Sequence, residues 1–321
     1  MTDASELGRT IELAMRRADV TGLAAALIES GLVVWSEGFG FCHESGDRVT
    51  ADTVFAVASL SKPPFAHVVL RLCGTGLLNL DTPLAEFDPE PDDALGLDLQ
   101  APELSLVTAR HVLAHTSGLG NFEEQDVKRI AFPPGTRWRY SGEGYLYLQA
   151  VIEHLTGSPL DLVAAAEVFQ PLGMTSTSYL WRPGDGTPTR GGPNRCASQG
   201  HAFRKAFAAW SLHTTAGDYA RLVAETLRSE IGEALLTPQI ELDDSLAWGL
   251  GWGLAGDVFW HWGDMGFKDF QCVAVASRSQ RRGLVCLTNS ERGLRACADI
   301  VRDTMGAQFS YPIGIVLERG W

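Results

Sequence analysis

Phe55–Lys62 reads FAVASLSK, and within it Ser59 and Lys62 are separated by two residues. The pattern changes here from extended to helical, and the helical spacing continues to Cys73. A serine and a lysine three positions apart near a helix start lie on one face of the helix, one turn apart. The positive end of the helix dipole also favours the negative charge that develops on the serine oxygen. The spacing therefore predicts a nucleophilic Ser59 with Lys62 as its activating base.

Lys62 can act as a base only if desolvation or a cationic neighbour lowers its pKa. The segment before it is apolar, which favours burial of the amine. Pro63 and Pro64 follow, and because proline fits easily only in the first turn of a helix, we expect a distortion just past Lys62. The alternative is a helix-capping serine beside an unrelated lysine, because so short a motif also arises by chance.

Two further segments carry groups that such chemistry needs. Tyr140 precedes a predicted helix, and a phenol held near a lysine can pass a proton between nucleophile and leaving group. Phe259–Phe267 reads FWHWGDMGF and is typical of an edge strand that runs into glycines. A substrate can lie against such a strand, and a backbone N–H of the strand can point into an oxyanion hole. The alternatives are a half-buried packing tyrosine and a core strand with aromatic contacts.

These three segments, in this order, resemble the motifs of the serine β-lactamase and penicillin-binding-protein superfamily. The resemblance is closest to its class C-like branch of esterases, D-amino-acid peptidases and acyltransferases, and it runs from about residue 20 to residue 305. Four other segments are similar to segments of that family: His111–Leu119 (HVLAHTSGL), Pro134–Ser141 (PGTRWRYS), Thr214–Arg221 (TTAGDYAR) and the strand-like Gly249–Trp252 (GLGW).

The resemblance implies a role for each residue of the site. Ser59 would be acylated, while Lys62 and Tyr140 would share the proton transfers. The backbone N–H groups of Ser59 and Asp264 would form the oxyanion hole. His261 falls where many members carry the lysine of a Lys-Thr-Gly triplet, and histidine at this place also occurs in esterase-like relatives. For the second step, either Tyr140 or His261 could activate the acceptor.

Two departures from the family pattern bear on the substrate. Gly142 stands where many members have the asparagine of a Tyr-x-Asn motif, whose amide binds substrate and base lysine. Asp264 directly follows Gly263, and its carboxylate would disfavour an anionic substrate group nearby. Together with His261 in place of lysine, these changes weaken the case for β-lactams and D-Ala-D-Ala peptides, whose carboxylate requires a fixed cation. We therefore expect a neutral ester or amide substrate.

The tryptophans offer a hypothesis about the acyl-binding pocket. In this hypothesis a hydrophobic acyl or aromatic pocket is lined by Trp210, Trp260 and Trp262. Trp262 and Gly263 also complete the triplet that begins at His261. The alternative for each tryptophan is packing in the core.

Two other functions fit the same residues. An acyl- or peptidyl-transferase of a biosynthetic pathway would use the same acyl-enzyme with an amine or alcohol in place of water, and its acceptor pocket would depend on loops such as 182–200. A catalytically weak binding protein that kept the fold is the alternative from another class, and the missing asparagine is its best support.

Composition excludes several classes of partner. The formal net charge of −13 argues against a nucleic-acid backbone and against an anionic membrane surface. We expect a small-molecule substrate, no nucleic acid, no membrane and no cofactor. The N-terminal segment lacks the apolar run of a signal peptide, so the chain is expected to be cytoplasmic.

A metal site is not expected either. His111 and His115 have metal-ligand spacing, but Val112 stands where a metalloprotease HExxH motif has glutamate, and no cysteines form a C-x-x-C pair. We expect His115 to have a structural role, bonding its own loop.

The order of the predicted elements indicates an α+β fold. Strand-like runs flank a helical middle, at 22–28, 32–35, 246–254, 258–261, 270–276 and 284–288, with a last helix at about 294–305. The first two runs, joined at Gly31, predict a hairpin. We expect one antiparallel sheet domain, residues 1–56 and about 205–321, with a mainly helical domain, 57–204, inserted between and the active site in the cleft. The resemblance implies a β-lactamase/transpeptidase-like fold.

Overall fold

The structure is a computed structural model that describes residues 4–42, 46–87, 89, 102–122, 130–180, 205–264 and 270–319. The strands are β1 Gly22–Glu29, β2 Leu32–Gly40, β3 Phe55–Ala56, β4 His213–Thr214, β5 Ile240–Glu241, β6 Ala247–Trp248, β7 Gly253–Ala255, β8 Val258–Asp264, β9 Gln271–Ser277 and β10 Arg282–Thr288. The helices are α1 Ala4–Ala18, α2 Lys62–Gly74, α3 Ala109–Leu113, α4 Gly142–Thr156, α5 Leu160–Ala164, α6 Ala216–Thr226, α7 Glu230–Leu235, α8 Gly293–Met305 and α9 Ala307–Arg319.

Eight strands form one antiparallel sheet in the order β2-β1-β10-β9-β8-β7-β6-β5. An early strand, β1, pairs with a late strand, β10, so that both ends of the sequence contribute to one sheet. The α+β prediction and the β1–β2 hairpin are confirmed. The division into two domains at residues 56 and 205 stays a prediction, and the loop 182–200 lies outside the described residues.

The sheet is covered on both faces, which explains the unbroken apolar run of β1. Successive side chains of a strand point to opposite faces. Leu23, Ala25 and Leu27 pack with the terminal helices α1, α8 and α9. The alternate residues of β1, Ala24, Ala26 and Ile28, pack with the helical middle and α6. The sheet is therefore the wall that separates two hydrophobic clusters, and the candidate site lies on the α2 side.

The predicted strand 246–254 is wrong in its centre. Gly249–Trp252 forms a turn between the short strands β6 and β7. Gly251 has a φ of +82°, which favours glycine, and its N–H donates to Leu113 O at 2.9 Å. Leu250 and Trp252 of this turn pack in the cluster of the helical middle, so the segment is apolar although it is not a strand.

Strand β8 is an interior strand, not the edge strand that the sequence predicted. It lies between β7 and β9, but its pairing with β7 covers only Val258–Trp260. From His261 to Asp264 the described pairing is with β9 alone. Among the described residues, the second half of β8 is therefore paired on one side only, and its other side has the free edge that the predicted mode of substrate binding requires.

The end of the chain contains a helix that the sequence did not predict. Helix α9 follows α8 after Gly306 and contains Pro312, a residue that usually argues against a helix interior. Buried Phe309 anchors it in the cluster of the terminal helices. No helix among the described residues is both long enough and apolar enough to cross a membrane.

Candidate active site

Ser59 lies in a short 3-10 turn, Ala58–Ser61, that leads directly into α2. This corrects the prediction that it begins the α-helix itself, and it makes Lys62 the first residue of α2. Pro63 and Pro64 fall in the first turn, where proline is tolerated because no intrahelical partner is needed for its nitrogen. The distortion expected past Lys62 is therefore absent, and α2 runs without a break to Gly74.

The lysine amine is in contact with the serine hydroxyl. Lys62 Nζ donates to Ser59 Oγ at 3.0 Å and to Ala209 O at 2.9 Å. Ser59 is half-buried, whereas Lys62 is 1% exposed. Burial lowers the pKa of Lys62 from 10.5 to about 7. At neutral pH the amine is therefore uncharged for about half of the time and can accept a proton from the hydroxyl beside it.

The turn that carries Ser59 is held in an uncommon backbone conformation. Ala58 has a φ of +47°, which an L-residue adopts only when its surroundings require it. Ser61 Oγ donates to Ala58 O at 2.6 Å and accepts from Leu212 N at 2.9 Å. The hydroxyl of Ser61 thus fixes the turn from within and ties it to the segment before β4.

Two buried tyrosines hold the same turn from outside, and the sequence analysis missed both. Tyr219 donates its hydroxyl to Leu60 O at 2.9 Å, and Tyr179 donates to Ser61 O at 2.6 Å. Burial raises the pKa of both phenols, so they remain neutral donors. Tyr219 lies in the TTAGDYAR segment and could have been found there, whereas no local pattern marks Tyr179.

Tyr140 lies just before α4 and reaches the lysine amine. Lys62 Nζ sits 4.7 Å from the centroid of the Tyr140 ring. The Tyr140 hydroxyl is buried without a hydrogen bond of standard geometry. Burial raises its pKa, and the nearby Ser59 hydroxyl opposes that effect. The structure therefore brings Ser59, Lys62 and Tyr140 together, with Tyr140 as a neutral phenol.

His115 orients the segment that carries Tyr140, rather than bonding its own loop as expected. Its Nδ1 accepts from Ser141 N at 3.0 Å, and its carbonyl accepts from Arg139 N at 2.8 Å. Its ring lies 4.3 Å from the Tyr140 ring, centroid to centroid. Burial, followed by the charges of Lys62 and His261, lowers its pKa well below the usual value, so the ring is neutral.

The other histidine of the pair with metal-ligand spacing, His111, has a different partner. His111 Nδ1 accepts from Thr108 N at 3.3 Å and so helps to cap α3. Within the described ranges, no three His, Cys, Asp or Glu residues are grouped in a way that could hold a metal ion.

His261 lies on β8 and is fully buried near the amine of Lys62. Its Nδ1 donates to Trp262 O at 2.7 Å, which leaves Nε2 without a proton. Burial, and secondarily the charge of Lys62, lowers the pKa of His261 to about 3. The imidazole therefore cannot supply the positive charge that lysine supplies at this place in many members of the family that the motifs resemble.

Gly263 lets β8 pass directly against the nucleophile turn. A Cβ at this position would overlap Val57 O and would stand 3.4 Å from Ala58 Cβ. The next residue, Asp264, is exposed, and its carboxylate accepts from Gln271 Nε2 at 2.8 Å. The assignment of the Ser59 and Asp264 N–H groups to an oxyanion hole stays a prediction.

The three tryptophans of the predicted pocket are not together. Trp260 and Trp262 stack on each other at 5.4 Å and pack in the cluster of the terminal helices. Trp262 also contacts the Tyr140 ring at 5.2 Å, while the geometry of Trp260 favours core packing. Trp210 follows Ala209, whose carbonyl binds Lys62, and it stacks on Phe207 at 4.5 Å. Trp210 is thus the tryptophan whose neighbour in sequence binds the base, and its role in substrate binding stays a prediction.

Comparisons with known proteins show the family to which the chain is similar. The protein family described as Beta-lactamase matches residues 7–304. Esterase EstB of Burkholderia gladioli is 32% identical over 207 residues, which are 55% of this chain and 52% of that protein. Penicillin-binding protein 4* of Bacillus subtilis (strain 168) is 28% identical over 172 residues, 46% of this chain and 36% of that protein. The chain thus matches about half the length, or less, of these curated relatives.

Solved structures show the same fold. The octameric penicillin-binding protein homologue from Pyrococcus abyssi superimposes with a TM-score of 0.74 at 19% identity, covering 99% of this chain and 78% of that chain. The crystal structure of SurE with D-Leu gives a TM-score of 0.77 at 24% identity, covering 94% and 75%. These matches confirm the β-lactamase/transpeptidase-like fold that the motifs implied.

Gly263→Ala should separate β8 from the nucleophile turn. Because the new methyl group would overlap Val57 O, we expect Ser59 to react with a fluorophosphonate on the order of 100-fold more slowly. The matched control is Gly74→Ala at the end of α2, where a Cβ meets nothing within 4 Å. Equal labelling rates in the two variants would show that the close approach is not required.

Lys62→Met should change how stability depends on pH. The pKa of Lys62 is about 7 in the folded protein, and its ordinary value of 10.5 applies to the unfolded chain. Between pH 7 and 10.5 the unfolded chain therefore binds more protons than the folded protein, and the free energy of unfolding of the wild type rises with pH over this range. Lys62→Met lacks this dependence. It should be the more stable protein at pH 7, with the gap narrowing by about 2 kcal/mol at pH 9. Denaturant unfolding measures this, and parallel pH curves would contradict it.

Proposed function

The chain belongs to the beta-lactamase family, and from that premise we propose that it is a serine hydrolase that cleaves an ester or amide through an acyl-enzyme on Ser59. The observation that carries the proposal is the 3.0 Å contact between Lys62 Nζ and Ser59 Oγ at a place where burial holds the pKa of the lysine at about 7. A nucleophile in contact with a base of matched pKa is the arrangement that covalent acyl transfer requires.

Acylation begins with proton transfer from Ser59 to the neutral amine of Lys62. The carbonyl of Ala209 fixes the direction of the amine, so that its lone pair can face the hydroxyl. As the proton leaves, Ser59 Oγ attacks the substrate carbonyl carbon and a tetrahedral oxyanion forms. The start of α2 next to the turn favours the negative charge that develops there.

Tyr140 passes the proton onward. Its pKa is raised by burial, so it acts as a neutral phenol that accepts a proton while it gives up its own. The amine of Lys62 lies 4.7 Å from the centroid of the Tyr140 ring, and the Ser59 hydroxyl lies near the phenol, so we propose that the proton reaches the leaving group along Lys62 and Tyr140. When the leaving group departs with the proton, the acyl-enzyme and a neutral Lys62 remain.

For the second step we propose Tyr140, working with Lys62, as the group that activates the acceptor water. His261 is the weaker candidate because its pKa of about 3 makes it a poor base near neutral pH. Its Nδ1–H donates to Trp262 O at 2.7 Å, so only Nε2 could accept a proton. Its buried ring instead helps to keep the surroundings of Lys62 dry.

The substrate that fits this site is neutral at the reacting end. Gly142 offers no amide, His261 is uncharged near pH 7, and the Asp264 carboxylate is exposed beside the strand. The net charge of −13 further disfavours the approach of anions. These features support an ester or neutral amide, and they disfavour β-lactams and peptides that end in a carboxylate.

Ser59→Ala should abolish both hydrolysis of p-nitrophenyl acetate and the mass increase after fluorophosphonate treatment. The matched control is Ser245→Ala, an exposed serine bonded to Asp243, which should label like wild type. Intact-protein mass spectrometry checks this. Labelling that persists in Ser59→Ala would remove the assignment, and absence of reaction in wild type would favour the binding-protein alternative.

The rate of acylation should follow the titration of Lys62. We expect kcat/KM for p-nitrophenyl acetate to fall tenfold per pH unit below about 7 and to level off above it. His261→Asn, whose amide can still donate to Trp262 O, should keep the shape of this profile. A profile whose acid limb disappears in that variant would assign the titration to His261.

Adding an amine acceptor and analysing the products distinguishes hydrolysis from acyl transfer.

A further inference from the structure

An aromatic group lies between the segment that binds the Lys62 amine and the segment that carries Tyr140. It consists of Phe122, Phe207 and Trp210. The Phe122 and Trp210 rings meet edge to face at 4.7 Å, and Phe207 stacks on Trp210 at 4.5 Å. Phe122 is 45% exposed, and the other two are half-buried. A contiguous apolar surface beside a reactive centre is typical of a ligand-binding wall.

The position of this aromatic group is fixed by its neighbours. Trp210 directly follows Ala209, whose carbonyl binds Lys62 Nζ at 2.9 Å. The ring of Phe122 lies against Gly142, two residues after Tyr140. The group therefore connects the segment that binds the base with the segment that carries the phenol. Trp210 comes nearest to the nucleophile through its neighbour Ala209, because the Lys62 amine that binds the Ala209 carbonyl also contacts Ser59 Oγ at 3.0 Å.

Phe122 is held in place at a conformational cost. Its φ of +61° is rare for a bulky residue. Its N–H donates to the buried carboxylate of Glu143 at 3.1 Å. The preceding residue, Asn121, accepts from Gly142 N at 3.0 Å, and Ser141 Oγ donates to Gly120 O at 2.8 Å. The Phe122 ring is exposed, and hydrogen bonds hold its backbone in a strained conformation. This combination indicates a functional role for the ring rather than a purely structural one.

The Phe122 ring occupies the space that a side chain at position 142 would need. A Cβ on residue 142 would overlap Cε2 and Cζ of the Phe122 ring. The space where an asparagine of a Tyr-x-Asn motif would begin is thus occupied by a phenyl ring from another loop. The place of a hydrogen-bonding amide is taken by an apolar surface.

We propose that the wall formed by Phe122, Phe207 and Trp210 binds the acyl group of the substrate and that it selects aromatic acyl groups over small ones. This inference rests on the proposed function, because it names the substrate class of the same Ser59 site. Offset and edge-to-face contacts of an aryl group with two of these rings supply the preference.

The test compares p-nitrophenyl acetate with p-nitrophenyl phenylacetate. Wild type should show the higher kcat/KM with phenylacetate. Phe122→Ala should lower kcat/KM for phenylacetate about tenfold while that for acetate stays within about twofold. The matched control is Phe41→Ala, a 40% exposed phenylalanine beside Arg48, which should change neither value.

A second variant keeps the test decisive if Phe122→Ala alters the loop. Gly142→Asn alone should lose thermal stability and activity, because its side chain would overlap the Phe122 ring. Adding Phe122→Ala should restore the melting temperature of Gly142→Asn but not the phenylacetate preference. In wild type, benzylboronic acid should inhibit at least about tenfold more strongly than methylboronic acid.

The outcomes separate this inference from the proposed function. If Ser59-dependent hydrolysis of acetate is found but Phe122→Ala lowers both esters equally, the acyl-binding role is overturned and the hydrolase proposal stands. Equal inhibition of the wild type by the two boronic acids would also overturn the acyl-binding role of the aromatic group. If neither ester is hydrolysed by wild type, the proposed function itself fails.

Discussion

The removal of the Lys62 amine from water is the physical condition on which the site depends. A lysine in solvent would be fully protonated at neutral pH and could not accept the Ser59 proton. Here the amine lies against the rings of Tyr140 and Tyr145 and donates to the Ala209 carbonyl. Their own burial keeps the two neighbouring histidines neutral, and the charge of Lys62 adds a smaller effect in the same direction. Burial of the whole group therefore sets the protonation states of the lysine, the two histidines and Tyr140.

The arrangement is maintained by backbone hydrogen bonds that join distant parts of the chain. His115 binds the N–H of Ser141, and Gly251 donates to Leu113 O, so α3 connects the tyrosine segment with the turn before β7. Tyr179 and Tyr219 bind carbonyls of the nucleophile turn. Because these donors are buried, each missing bond would leave an unsatisfied carbonyl, and the reactive atoms are consequently held by several independent restraints.

Strand periodicity predicted the α+β class and the hairpin, and the spacing of Ser59 and Lys62 predicted their contact. The meeting of Tyr140 with these two residues was implied by the resemblance to the family and not by any local pattern. The sequence could not predict the turn at Gly249–Trp252, because buried apolar residues in a turn give the same local pattern as those in a buried strand. The roles of Tyr179 and His115 depend on contacts made only after folding. Helix α9 escaped prediction because Pro312 breaks the pattern on which helix assignment rests.

The pairing of β1 with β10 has a consequence for how the chain reaches its folded state. Leu23 is opposite Thr288 in the sheet, so one side of the first hairpin has no partner in this sheet until the chain has been synthesised to about residue 288. Closure of so long a loop is slow, and the waiting apolar edge of β1 can pair with other chains. Yield during expression should accordingly depend on temperature and on chaperones that shield nascent strands.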